Sequence, residues 1–168
     1  MTPLTELFLY EAARSQLVSD IIRPALDRGE VVISDRFTDS TVAYQGSGRS
    51  IPPELIQNAN RWACGETFPH RTYILDIPWE ESIRRRSTSS EETDRLENER
   101  EHFFQKVREG YQTIANQEPR RVRLLDGTKP ISFLEQEIIQ DTLNILAHFR
   151  VEKDPHKKNE EVDTHEKK

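Results

Sequence analysis

The chain contains 168 residues, and its 24 Lys and Arg residues against 30 Asp and Glu residues give a net charge of −6. This length predicts one domain, and the acidic balance disfavours proteins that hold nucleic acid by bulk positive charge. One cysteine and the lack of a long apolar run exclude an internal disulfide, a multi-cysteine metal site and a transmembrane helix. We therefore expect a cytoplasmic domain with neither a nucleic-acid nor a membrane partner.

The N-terminal region has the pattern of a helix. Apolar and long side chains recur at spacings of three and four from Leu7 to Ile21, and Thr2 and Pro3 form a suitable N-cap and first-turn pair. Pro24 is expected to break or restart this helix, and Gly29 is expected to close it.

Strand-like and helical patterns alternate after this helix. Three short apolar runs have the composition of buried parallel strands: Val31–Ser34, Thr72–Ile77 and Val122–Asp126. Helical patterns occupy residues 53–63, 80–86, 97–116 and 131–149. This alternation predicts an α/β fold with a parallel sheet.

The last 18 residues differ in composition from the rest of the chain. Five of them are Lys, six are Asp or Glu, and two are aliphatic. Such a segment buries too little apolar surface to offset the entropy of ordering it. We expect one domain over residues 1–150 and a charged disordered tail over residues 151–168.

Asp35 and Arg36 follow the first predicted strand directly. In an open parallel sheet, ligands bind at the carboxyl ends of the strands. A guanidinium there offers planar, bidentate donors to a phosphate. The alternative is a salt bridge that merely closes the strand.

Two further groups of residues suit a nucleoside. Tyr10 and Arg14 share a helix face, where a ring can stack on a base and a guanidinium can bond its edge, or where the two can simply form a cation–π pair. The segment from Asp39 to Arg49 combines hydroxyl, aromatic and amide groups with two glycines that permit close backbone approach. Alternatively, this segment is only a polar connection with a glycine hinge.

An arginine-rich segment follows the second predicted strand. Arg84, Arg85 and Arg86 precede a polar stretch that ends at Asp94 and Arg95. Three arginines at a helix end can clasp phosphates from a mobile loop. They can also form a solvated helix end followed by a flexible linker.

Taken together and in this order, these stretches resemble bacterial thymidylate kinases (dTMP kinases) over about residues 4–145. The matching stretches are LFLYEAARSQLVSDIIRPALDRGEVVISDRFTDSTVAYQGSGR, YILDIPWEESIRRR, TDRLE, FFQKVREGYQTIA and LLDGTKPI. The resemblance implies the three-layer P-loop NTPase fold of nucleoside monophosphate kinases, with a parallel sheet in the order 2-3-1-4-5. It also implies phosphorylation of dTMP to dTDP by ATP, in dTTP biosynthesis. Mg²⁺ would be bound mainly through the nucleotide phosphates rather than by protein ligands.

The resemblance assigns roles at the acceptor side. Tyr10 stands where the family places an aromatic ring, usually Phe, that stacks on thymine, and Arg14 matches an arginine that bonds the base carbonyl. Asp35 and Arg36 match the D-R-[YFH] motif, whose arginine holds the dTMP phosphate. Thr41 occupies the position of a polar residue near the pyrimidine edge.

Further roles follow for the nucleotide-binding segment and the LID. Tyr44 and Gln45 fall in the A-Y-Q-G segment, and Tyr44 is placed to oppose the deoxyribose. The segment from Arg84 to Arg95 looks like the LID, whose arginines approach the ATP phosphates. The candidates there are Arg84, Arg85, Arg86 and Arg95. Arg36, Arg85 and Arg95 are the expected catalytic arginines.

The sequence contains no G-x-x-x-x-G-K-[ST] motif. We therefore expect the N-terminal strands and the P-loop of the fold to be missing from this chain. Either the chain is a partial product or the short form is real. Alone, the span should fold poorly and be inactive.

Two alternatives stay open beside thymidylate kinase. One is another P-loop deoxynucleoside kinase. The other is a non-catalytic nucleotide-binding or dimerisation module. The resemblance also implies a homodimer, in which the first helix pairs with its copy through Leu7, Leu9 and Leu17.

Overall fold

The computed structural model describes the backbone of residues 1–86 and 95–153, and the side chains of residues 1–85 and 100–149. Its elements, in chain order, are α1 (Pro3–Leu17), α2 (Arg23–Asp27), α3 (Thr38–Thr41), α4 (Pro53–Cys64), β1 (Thr72–Asp76), α5 (Trp79–Arg86), α6 (Arg95–Gln117), β2 (Val122–Asp126) and α7 (Ile131–Lys153). Two π-helical segments, Val18–Ile22 and Val42–Gly48, follow α1 and α3. No helix within the described ranges has the length and apolarity needed to cross a membrane.

The start and end of the first helical region are as predicted. The Thr2 hydroxyl accepts a hydrogen bond from the Thr5 amide at 3.3 Å, and Pro3 takes the first helical position. Because Pro24 has no N–H to continue the ladder, the helix widens into the π-helical turn just before it and restarts as α2. Gly29, at φ 79°, then closes α2.

The described sheet consists of β1 and β2, which pair in parallel from Thr72↔Val122 to Asp76↔Asp126. The connection between them contains α5 and α6, so it is the crossover that a parallel pair requires. The predicted α/β class is therefore confirmed. Two of the three predicted strands are present. β2 has both predicted ends, and β1 ends at Asp76 instead of Ile77.

The prediction of a strand at Val31–Ser34 is wrong: the structure has irregular backbone there. A strand satisfies its backbone N–H and C=O groups only through a neighbour, and within the described residues β1 pairs only with β2. Ile33 is 91% exposed, whereas Val32 and Phe37 still pack against the buried Val18 and Cys64. Side-chain contacts therefore hold this segment in place without a ladder.

Three small clusters form the core of the first compact unit, Met1–Asp126. One joins β1, β2, α6 and the Val42–Gly48 segment: Ala43, Ile74, Val107, Ile114, Ala115 and Val122. The second lies under α1 and α4: Leu7, Ile51, Ile56 and Ala59. The third, described above, surrounds Cys64.

Glycines let the Val42–Gly48 segment lie directly on α6. A Cβ at Gly48 would lie 2.7 Å from the Phe103 ring, and a Cβ at Gly110 would lie 2.5 Å from Ser47 Oγ. This close approach fixes the position of Tyr44 and Gln45, which the segment carries.

A second unit begins at Gly127 and contains α7. The helix ends at Lys153, so it includes the first three residues of the predicted tail. The remainder of that tail, 154–168, lies outside the described residues.

Candidate functional site

Arg14 lies at the centre of a buried polar cluster. Its side chain is 10% exposed. Nη1 donates to the Glu11 carboxylate and to Asn60 Oδ1 at 2.8 Å, and Nη2 donates to Thr41 Oγ1 at 2.7 Å and to the Phe37 carbonyl at 3.3 Å. The guanidinium carbon lies 5.3 Å from the centre of the Phe37 ring. The structure thus brings the predicted residues Arg14 and Thr41 together and fixes the guanidinium from several sides.

Sequence reasoning missed two members of this cluster. Glu11 is 6% exposed and Asn60 is 4% exposed. A signal existed for Glu11, because it lies four residues after Leu7 and seven before Val18, on the core-facing stripe of α1. The same signal existed for Asn60, which lies four residues after Ile56 and four before Cys64 on the buried face of α4, and which reaches Arg14 from there.

Gln45 is buried and attached to α1. Its amide Nε2 donates to Glu6 Oε1 at 2.8 Å, and Arg49 Nη2 lies 3.3 Å from Glu6 Oε2. The hydrogen bond from Gln45 and, after it, the bond and charge of Arg49 lower the pKa of Glu6. The contact ties the segment that carries Gln45 to the helix that carries Arg14.

Tyr10 is 55% exposed on α1, one turn before Arg14. The ring beneath the Arg14 guanidinium belongs to Phe37, so the structure does not support an intrahelical cation–π pair between Tyr10 and Arg14. A stacking role for Tyr10 stays a prediction.

Asp35 and Arg36 are exposed, and the structure brings Arg36 onto Tyr44. The Arg36 guanidinium carbon lies 4.8 Å from the centre of the Tyr44 ring, and Nη2 donates to Tyr44 Oη at 3.3 Å. Arg36 has φ 65°, in the left-handed region that a non-glycine residue rarely adopts. Such strain costs about 1–3 kcal/mol and concentrates at binding and catalytic sites.

Tyr44, on the Val42–Gly48 segment, packs against two aromatic side chains of α6. Its ring meets Phe103 at 6.1 Å and Tyr111 at 6.2 Å, both edge-on. The Tyr111 hydroxyl pairs with Ser40 Oγ at 2.8 Å, and burial raises the pKa of Tyr111. Tyr111 was not among the predicted site residues.

A cavity of about 370 Å³ opens beside these aromatic side chains, and its lining includes Tyr44, Tyr111, Asp76 and Arg108. Arg108 donates to both carboxylate oxygens of Asp76, at 2.6 and 2.8 Å, and this pairing raises the pKa of Arg108. Asp76 ends β1, and Asp35 directly follows the first apolar run, Val31–Ser34. Asp76 therefore had the same position at the carboxyl end of a predicted strand as Asp35, and it was not among the predicted site residues.

Asp39 anchors the loop after Arg36 to the sheet. It is buried and accepts two hydrogen bonds from Arg121, at 2.8 and 2.7 Å, and one from Thr72 Oγ1 at 2.7 Å. Thr72 begins β1 and Arg121 precedes β2. The pairing with Asp39, and next that with Glu118, raises the pKa of Arg121.

The LID arginines are only partly described. Arg84 and Arg85 are exposed on α5 and both bond Glu81, at 2.7 and 2.6 Å, which lowers the pKa of Glu81 to about 2. Residues 87–94 and the side chains of Arg86 and Arg95 lie outside the described residues. The roles assigned to these arginines stay predictions.

Among the described residues, no group of three or more His, Cys, Asp and Glu side chains is arranged to hold a metal ion.

The thymidylate kinase family model matches residues 1–138. A thymidylate kinase of Symbiobacterium thermophilum is 43% identical over 138 residues, which are 82% of this chain and 64% of that protein. One of Nitratidesulfovibrio vulgaris is 41% identical over 153 residues, covering 88% of this chain and 71% of that protein. The chain thus spans about two thirds of the length of these two curated relatives.

A crystal structure of thymidylate kinase from Ehrlichia chaffeensis has a similar fold. Its TM-score is 0.67 at 28% identity, and the match covers 84% of this chain and 67% of that one. The expectation of a nucleoside monophosphate kinase fold is confirmed by this similarity.

Proposed function

This chain belongs to the thymidylate kinase family, and from that premise we propose that the complete protein transfers a phosphoryl group from ATP to dTMP. The products are ADP and dTDP, for dTTP biosynthesis. The observation that carries the proposal is the pair Arg14 and Arg36, joined through Phe37. The backbone carbonyl and ring of Phe37 contact Arg14, and Arg36 is the residue before it.

The Arg14 cluster suits the base of the acceptor. A pyrimidine carbonyl needs a positioned N–H donor, and the 3.3 Å bond from Nη2 to the Phe37 carbonyl is the longest of the four that Arg14 makes. The N–H of that bond is the one a base carbonyl could share, since three-centre bonds of this kind are common in proteins. The Thr41 hydroxyl and the Tyr10 ring would complete the pocket.

Arg36 suits the acceptor phosphate. Its guanidinium carries five N–H donors in a planar fork, and the contact with Tyr44 uses only one of them. Because the Tyr44 ring lies against this guanidinium, it would face the sugar of a nucleotide whose phosphate Arg36 holds. A ring in that place disfavours a 2′-hydroxyl and so favours a deoxyribonucleotide.

Phosphoryl transfer requires positioning and charge neutralisation more than covalent chemistry. We assign the donor phosphates to the LID arginines, Arg84, Arg85, Arg86 and Arg95. Magnesium would neutralise charge on the donor phosphates, and it is commonly held through phosphates with only one or two carboxylates.

We further propose a homodimer through the outer face of α1 and α4. Phe8 and Trp62 are 57% and 81% exposed and flank a shallow groove whose lining consists of small residues and Glu11. Apolar surface of this kind marks interaction sites. Leu9 and Leu17 are exposed as the sequence interpretation required, but Leu7 is fully buried in its own protomer, so Leu7 cannot take part.

Product analysis of the complete protein tests the function. With ATP and Mg²⁺, we expect dTDP from dTMP and no dTMP from thymidine. Phosphorylation of thymidine would favour the deoxynucleoside kinase. Binding of dTMP without any transfer would favour the non-catalytic module.

Residues 1–168 produced alone are expected to make no dTDP, because the sequence contains no P-loop lysine or hydroxyl for the donor phosphates and magnesium. Formation of dTDP by this span above background would contradict that expectation. The cytoplasmic location also stays a prediction.

A further inference from the structure

Glu11 is a charged member of the buried polar cluster around Arg14, and the proposed function gives it no role. Its Oε1 accepts hydrogen bonds from Arg14 Nη1 and, at 3.1 Å, from Thr41 Oγ1. Its Oε2 is buried and accepts no bond from any described residue. The carboxylate charge is therefore directed almost wholly at Arg14.

Stability alone gives a weak reason for this carboxylate. Burying an ion pair costs desolvation energy, and replacing such a pair with apolar residues is often neutral or stabilising. Glu11 lies between the buried Leu7 and Val18 on the core-facing side of the first helix, so its carboxylate and the Arg14 guanidinium are both largely removed from water. An unsatisfied buried oxygen at such a position calls for an explanation outside folding.

The two arginines of the acceptor site would compete for the phosphate unless the charge of one of them is cancelled. A nucleoside monophosphate carries its negative charge at one end only, and both guanidinium groups would attract it. A carboxylate in contact with Arg14 cancels the positive charge at the base end. Arg36, exposed and stacked on an uncharged tyrosine, keeps its charge.

We propose that Glu11 is a positioning residue that neutralises Arg14 and holds its guanidinium for the base, so that the phosphate is directed to Arg36. This inference rests on the proposed function. It assigns the orientation of the acceptor to the pairing Glu11–Arg14, which acts before any chemistry occurs.

The test is calorimetry on the complete protein with dTMP, thymidine and inorganic phosphate as separate probes. Glu11→Gln keeps the shape and removes the charge. We expect dTMP and thymidine to bind about tenfold more weakly, the scale of one charge-assisted hydrogen bond, and inorganic phosphate to bind more tightly. In turnover, KM for dTMP should rise while kcat stays within about twofold.

A double-mutant cycle shows whether Glu11 acts through Arg14. We expect Glu11→Gln to have no further effect on dTMP binding in an Arg14→Ala background. Glu30→Gln is the matched control, because Glu30 pairs with Arg28 on the exposed surface, and it should leave all three affinities unchanged.

Two results would overturn the proposal while leaving the proposed function intact. One is a Glu11→Gln protein with the wild-type affinities for dTMP and phosphate. The other is an additive effect of the two substitutions. Failure of the wild type to bind dTMP would instead overturn the proposed function.

If Glu11→Gln does not fold, Glu11→Asp tests the positioning role in its place. It retains the charge but withdraws the carboxylate from Nη1, so dTMP binding should weaken while phosphate binding stays at the wild-type level. Unchanged dTMP binding by Glu11→Asp would contradict the positioning role.

Discussion

Arg14 and Arg36 are both assigned to one nucleotide, yet their surroundings are opposite. Arg14 is 10% exposed, sits in a regular helix and donates to four acceptors from four residues. Arg36 is exposed and has a strained backbone at φ 65°, and its side chain makes one hydrogen bond, to a tyrosine whose ring it also covers. One arginine is fixed before the ligand arrives, and the other keeps most of its donors for the ligand.

The difference matches what each end of the nucleotide demands. A base is neutral and flat, so its recognition depends on donors that are already in place and lose little freedom on binding. A phosphate is strongly hydrated and charged, and an exposed guanidinium can replace its water with bidentate bonds. Preorganisation therefore belongs at the base end, and available charge belongs at the phosphate end.

The largest expected effect comes from removing Asp39, which anchors the loop after Arg36 to Arg121 and Thr72. Asp39→Ala removes the bidentate partner of Arg121 and leaves that partly buried guanidinium with Glu118 and the Thr72 hydroxyl. Removing one partner of a buried pair costs about 3–5 kcal/mol, so we expect a fall in Tm on the order of 10 °C. Calorimetric unfolding measures this. An unchanged Tm would show that the loop is anchored by other contacts.

Arg36→Ala tests the phosphate end. The substitution removes charge-assisted bonds worth roughly 1.5–3 kcal/mol each, so kcat/KM for dTMP should fall on the order of tenfold or more. Arg28→Ala is the control, because Arg28 is an exposed arginine paired with Glu30. Steady-state kinetics equal to those of the wild type would remove Arg36 from the phosphate site.

Arg14→Ala tests the base end. We expect dTMP binding to weaken by about tenfold, through one lost charge-assisted bond to the base, while ATP binding stays nearly unchanged. Calorimetry with the two nucleotides separates these effects. Equal losses for dTMP and ATP would place Arg14 outside the base pocket.

Tyr44→Phe sharpens the comparison with a smaller change. The ring that supports Arg36 remains, and only the 3.3 Å bond from Nη2 to the hydroxyl is lost. A hydrogen bond of this kind contributes about 0.5–1.5 kcal/mol, so kcat/KM should fall by less than the loss from Arg36→Ala. A loss equal to that of Arg36→Ala would mean that the hydroxyl, not the guanidinium, carries the function.

Cys64 provides a probe with no expected effect on activity. It lies fully buried beside Phe37 and Val32, and burial raises the pKa of its thiol to about 11. At pH 8 the thiol of the folded protein is therefore protonated and shielded, and it should react with an aromatic disulfide reagent only after unfolding. Rapid reaction in the native state would show that the segment around Phe37 opens.

The sequence was sufficient for features that depend on local pattern. The Thr2 cap, the restart at Pro24 and the strand Val122–Asp126 each follow from residues a few positions apart. It failed at Val31–Ser34, because strand formation depends on a neighbour and not on composition alone.

The candidate site was likewise predictable only where residues close together in the sequence define it. Helical spacing predicted that Arg14 shares a face with Tyr10, but Tyr10 is 55% exposed whereas Arg14 is 10% exposed, and the contact of Arg14 with Asn60 joins residues 46 positions apart. The bonds between Asp39 and Arg121 join residues 82 positions apart. No local pattern in one sequence specifies such pairs, since they arise only when the elements pack.

The most direct test of the division between the two arginines compares thymidine with dTMP, which differ only by the phosphate. Calorimetry on the complete protein should show that Arg36→Ala weakens dTMP binding and leaves thymidine binding at the wild-type level, whereas Arg14→Ala weakens both by a similar factor. Loss of thymidine affinity in Arg36→Ala, or its retention in Arg14→Ala, would contradict the account.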